Sequence, residues 1–198
     1  MNTLTPTELA IGLVVLLAVA GLILWLVRSR SSAHLRSKFG PEYDRAVRNS
    51  GSRRKAESDL HERQKRVAAF DTRPLSVSQR NGFIETWQQV QARFVDDPAG
   101  ALDHADVLLA DVMAARGYPV TDFDHRAEDL SVDHPDVVQN YRAGRDIARR
   151  HVRGEASTED LRQAMIHYRA LFDELVNEPD AITQDPPRDI PRRERLRP

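Results

Sequence analysis

STEDLRQAMIHYRALFDEL, residues Ser157 to Leu175, is the stretch whose periodicity decides the fold class. Ser157 with Asp160 three residues on reads as a capping box, the start signal of a helix. Leu161, Met165, Tyr168, Phe172 and Leu175 then recur on one face at helical spacing, with Ala164 and Leu171 beside them. A helix with one apolar face must bury that face against other elements. The chain on its N-terminal side supplies candidates with the same pattern.

Working back from Ser157, Asp133, His134 and Pro135 open a helix with Val138, Tyr141, Ala148 and Val152 on one face, closed by Gly154. Thr121 to Leu130 reads as one short helix. Asp97-Pro98 is a cap followed by Pro at the first helical position. The helix it opens carries Leu102, Ala105, Leu109, Val112 and Met113 on one side and ends at Gly117. Ser76 or Ser78 starts another, with Phe83, Trp87, Val90 and Phe94 in line and Ile84 and Val95 widening the stripe. No window shows strand alternation. The expected class is all-α: one N-terminal transmembrane helix, a helical arm, and a compact bundle of about four main helices over residues 71–177. Residues 178–198 hold five Pro and five Arg with little to bury, and read as a disordered tail.

The transmembrane expectation comes from Leu9 to Val27, nineteen residues without a charge. At 1.5 Å per residue such a run spans roughly 28 Å, close to the thickness of a bilayer core. It is apolar all round, no Lys or Arg precedes it, and Arg28 and Arg30 follow it. A secretory signal peptide would need a basic start and a cleavage site after a shorter core. Residues 1–8 would then lie outside the cell and the rest in the cytoplasm, because basic flanks stay inside. Gly12 and Gly21 are too far apart for a GxxxG pairing face.

Charge is segregated along the chain. Residues 28–66 are net +7, residues 71–185 net −10, and the tail from Arg188 net +3, within an overall −1. Trp25, Arg28, Arg30, Arg36 and Lys38 form an expected membrane collar with anionic lipid as partner. Its lack of interleaved aromatics disfavours nucleic acid. Leu35, Phe39, Tyr43 and Val47 suggest an interfacial helix interrupted at Gly40-Pro41. Ser52 to Phe70, with the narrow stripe Ala56, Leu60, Val67 and Phe70, suggests a solvated arm or a coiled-coil seam. There is no Cys, hence no disulfide and no thiol chemistry.

Chemistry is sparse. Asp122, Asp124, His125, Asp133, His134 and Asp136, together with Glu128 and Asp129, are the densest polar group. Their spacing matches neither HExxH nor an EF-hand loop, so helix caps and solvated surface are the plain reading. A metal-dependent or hydrolytic enzyme using residues 122–136 is the alternative. No catalytic residue, no cofactor and no phosphate loop is expected. The runs LRSKFGPEYDRAV (Leu35 to Val47), ARFVDDPAGAL (Ala92 to Leu102), RGYPVTDF (Arg116 to Phe123) and DLSVDHPDVVQNYR (Asp129 to Arg142) resemble a family of uncharacterised bacterial single-pass membrane proteins. The likeness runs from about Leu35 to Leu175. It implies the bacterial inner membrane and carries over no site residue. The functional expectation is a membrane-anchored helical interaction or scaffolding module with a protein partner.

Overall fold

The computed structural model describes residues 6–119 and 122–177. The N-terminal residues 1–5, the tail 178–198 and the side chains of Trp25 and Arg28 of the expected collar lie outside the described residues. Among the described residues eight helices form and there is no strand. They are α1 (Pro6–Phe39), α2 (Pro41–Ser50), α3 (Arg53–Val67), α4 (Val77–Arg93), α5 (Pro98–Ala115), α6 (Phe123–Asp133), α7 (Val138–Val152) and α8 (Thr158–Asn177).

Local chemistry sets the boundaries. Ser76 and Gln79 close a reciprocal capping box at α4, and Asp97 accepts from the Gly100 amide with Pro98 opening α5. Asp122 accepts from the amides of Asp124 and His125 at α6, so that helix starts two residues later than the sequence suggests. At α8 the Ser157 hydroxyl accepts from the Asp160 amide while the Asp160 carboxylate accepts from the Ser157 amide. Gly40 breaks the chain between α1 and α2 at φ +48, and Pro41 restarts it. Gly117 leaves α5 at φ +92, where a Cβ would collide with the Asp71 carbonyl.

The larger core lies among α4, α5, α6, α7 and α8, with α8 packed on both α5 and α7 and α4 packed on α5. Every apolar position read on the α8 stripe is buried. Trp87 of α4 stacks on Phe172 of α8 at 4.7 Å between centroids. Arg116, just past α5, donates to the Leu175 carbonyl in the last turn of α8, where a cation also suits the helix dipole. On α7 the buried positions are Val138, Tyr141, Gly144 and Ile147. Val152 is 88 % exposed, and Val95 beyond α4 is exposed too. Gly144 is buried because α8 crosses there: a Cβ would stand 2.5 Å from Cε1 of Tyr168.

A second, smaller core joins Leu35 and Phe39 of α1, Tyr43 and Ala46 of α2, Ala56, Leu60 and Val67 of α3, and Val132 of α6. The stripe on α3 is therefore filled from within the chain, and the Leu35–Tyr43 face meets protein rather than an interface.

The expected transmembrane helix over Leu9 to Val27 is not supported. Among the described residues no helix is long and apolar enough to cross a membrane. The apolar run is no self-contained segment: it is the opening part of the 34-residue α1, whose closing turns bury Ser32, Leu35 and Phe39 in the second core. The described side chains of Leu16, Val19, Leu22, Ile23 and Leu26 are exposed. The all-α class and the helical bundle stand; the spanning segment does not.

Candidate functional site

The Asp122–Asp136 group does not converge. Among the described residues no group of three or more His, Asp or Glu side chains is placed to hold a metal ion. Asp122 caps α6 and binds the His125 ring at 2.7 Å. Asp124 faces Arg149 at 3.8 Å. Asp133 accepts from the Tyr118 hydroxyl, and buried His134 meets Glu174 across to α8. Asp136 is exposed. Of the collar, Arg36 pairs with Asp44 at 3.0 Å while Arg30 and Lys38 are exposed.

What the fold assembles instead is a cleft of about 430 Å³ between α2, α6 and α7. Arg142, Arg145 and Arg149 stand at i, i+3 and i+7 on α7 and therefore share a face; Arg45 and Arg48 stand at i and i+3 on α2. All five guanidinium side chains line the cleft, with Glu42, Asp124 and Asp146 as its acids. A contiguous hollow of about 360 Å³ shares Glu42, Arg45, Asp124 and Arg142 and extends to Lys55 and Arg63 of α3.

Glu42 is the pivot. It is 1 % exposed and accepts from Arg142 at 2.9 Å and from Arg63 at 3.2 Å, with Arg45 at 4.0 Å. Arg63 continues to Glu128 at 3.1 Å, and Arg66 joins Glu128 and Asp129. This network ties α2 and α3 to α6 and α7. Burial holds the Arg142 guanidinium below the ordinary arginine range; Glu42 opposes that shift, while Arg45 and Arg63 add to it. Several cations thus crowd one buried carboxylate.

Phe123, at the start of α6, forms an aromatic floor. The guanidinium carbons of Arg145 and Arg149 lie 5.3 and 5.9 Å from its ring centroid. Behind it Asp106 of α5 accepts from the Tyr141 hydroxyl at 3.2 Å and faces Arg126 and Arg145. Burial pushes the Tyr141 hydroxyl far above the usual tyrosine range, so it stays a donor to that carboxylate.

Arg45 and Arg48 belong to the +7 run of residues 28–66, whereas the α7 arginines do not stand out in the sequence, because α7 lies in a region whose net charge is −10. The signal that could have found them is the Arg142, Arg145, Arg149 spacing itself. No family model matches the chain, and neither a curated protein nor a solved structure matches it.

Proposed function

We propose that the chain is a helical interaction module whose working surface is the arginine-lined cleft, and that it engages an anionic group on its partner. One observation carries this reading: Arg48 lies exposed at the cleft and, among the described residues, forms no ion pair, while Arg45 reaches only Glu42 at 4.0 Å. Cationic charge left unneutralised in a concave site raises the local concentration of anions and steers them in. The partner's charge is then the reverse of what the acidic regional count suggests. The acids of α6 and α7 that would form an acidic face are largely held in ion pairs with Arg63, Arg66, Arg149 and Arg150.

Cross-linking mass spectrometry on the native, full-length chain tests the reading. Partner cross-links should concentrate on α2, α3 and α7 around Lys55, and should fade in an Arg48→Glu chain. Cross-links confined to the outer faces of α4 and α8, indifferent to Arg48→Glu, would reject it.

A further inference from the structure

We infer that the cleft between α2, α6 and α7 is a binding site for a phosphate-bearing ligand, held between the arginine pair of α2 and the arginine ladder of α7. The inference rests on the reading of the cleft as the working surface and names the chemistry of what enters it.

The size fits first. About 430 Å³ lies within the ordinary range of small-ligand sites. A folded partner buries far more surface than the cleft offers, so what enters the cleft itself is a single anionic group. Charge fits second. Of the three acids in the cleft, Glu42 is held by Arg142 and Arg63, Asp146 lies 3.6 Å from Arg150 outside the cleft, and Asp124 has Arg149 at 3.8 Å. Arg48 and most of the Arg45 charge are left over. A guanidinium does not lose its proton at ordinary pH, so the site stays cationic.

Geometry separates phosphate from carboxylate. A carboxylate offers two oxygens in one plane, and that role is already filled here by Glu42, which accepts from Arg142 and Arg63. A terminal phosphate offers three oxygens arranged tetrahedrally, and forks arriving from two sides can bind it together. Here the forks come from two different helices. Arg145 and Arg149 lie over Phe123, each with one nitrogen toward a carboxylate (Asp106 at 3.7 Å, Asp124 at 3.8 Å), and each keeps further N–H donors for an oxyanion.

A phosphorylated headgroup and a free phosphorylated solute share this chemistry, so the test has two arms. In the first, sodium pyrophosphate is titrated calorimetrically into the full-length chain at low ionic strength. Saturable one-to-one binding is expected, weakened roughly tenfold or more in an R48E/R149E chain that has lost two charged contacts. An R162E chain, altered at an exposed α8 residue paired with Glu159, should bind as the parent does. The neutral R48Q/R149Q chain repeats the comparison without adding acids beside Asp124, and circular dichroism verifies its fold. In the second arm, flotation with phosphatidylcholine vesicles with and without phosphatidic acid identifies the source. Flotation only with phosphatidic acid, reversed by pyrophosphate, assigns a headgroup; pyrophosphate binding without flotation assigns a free solute.

Absence of saturable pyrophosphate binding at millimolar concentration, or equal affinity in R48Q/R149Q, overturns the inference. Polyglutamate binding that is lost in R48E/R149E, without pyrophosphate binding, would overturn the phosphate assignment alone and leave the interaction module standing. Binding of neither anion removes the cleft from both.

Discussion

The bundle of α4 to α8 is closed by apolar contact, whereas α1 to α3 sit on that bundle largely through charge. In the first region Trp87 stacks on Phe172, and Leu109, Val112, Leu171 and Leu175 are removed from water. Among the described residues Val132 and Phe70 join the second core to the elements of the first, while Glu42, Arg63, Arg66, Glu128, Asp129 and Arg142 form the ion-pair network at the seam. Apolar burial is indifferent to which side chain occupies a given volume of similar shape. A buried ion pair is not: removal of one member strands the other without water. The seam should therefore fail locally and abruptly, and the bundle gradually and as a whole.

The largest effect is expected at Glu42. Glu42→Gln leaves the buried Arg142 without a carboxylate, while Arg63 keeps Glu128. Loss of one member of a buried pair costs about 3–5 kcal/mol. Hydrogen exchange should show this loss in the amides of α2 and α3, with α8 keeping its protection. Equal loss in both regions would mean that they open as a single unit, with no separate charge-held seam.

A smaller and differently distributed effect is expected at Gly144. An added methyl would stand 2.5 and 2.6 Å from the Tyr168 ring and 3.3 Å from the Ala164 carbonyl, so α7 must move off α8. Overpacking of this kind costs about 1–3 kcal/mol, partly offset by the roughly 1 kcal/mol that Ala gains over Gly inside a helix. Gly144→Ala should lower Tm for the whole chain and reduce exchange protection in α8 as well as α7. An unchanged Tm would show that α7 and α8 separate freely, and the bundle would then be the softer of the two regions.

The same contrast governs what could be read from residues alone. The α8 stripe and its capping box were legible because both are local: Ser157, Asp160 and the apolar face lie within one helix. The α7 face was legible only in part. Gly144 is buried for what it lacks, so no apolar count marks it, while Val152 is apolar but ends the helix facing water. The run from Leu9 to Val27 misled for a related reason. The helical continuation to the break at Gly40-Pro41 is legible, but the burial of Leu35 and Phe39 against α2 and α3 instead of at an interface is not. The cleft was least legible. Glu42 and Arg142 are 100 residues apart, and only the docking of α2 on α7 brings their arginines to one hollow. Regional net charge averages away the three arginines of α7, and the +7 of residues 28–66 does not say which of its cations face the hollow.

The smallest effect tests the weak end of the same scale, a charge pair left in water. His125 and Asp122 meet at 2.7 Å on the first turn of α6, with both side chains more than half exposed. The Asp122 carboxylate, by hydrogen bond and by charge, raises the His125 pKa above its ordinary 6.5. The His125 amide and ring in turn hold Asp122 below its ordinary 3.8. A raised histidine contributes stability that is complete below the unfolded value and is lost as pH rises through the folded one. A depressed aspartate contributes above its unfolded value and is lost as pH falls through the folded one. The pair is therefore fully present between about pH 4 and 6.5 and declines on either side. Proton NMR of the His125 ring should give a raised midpoint that returns to the ordinary range in Asp122→Asn, which keeps a capping oxygen but removes the charge. Exchange protection in α6 should change little, because exposed pairs contribute little. A His125 midpoint that ignores Asp122→Asn would place the perturbing charge elsewhere. A large loss of α6 protection in the same variant would instead mean that a pair in open solvent can hold an element as firmly as Glu42 does, and burial would no longer separate the strong ties of this molecule from the weak ones.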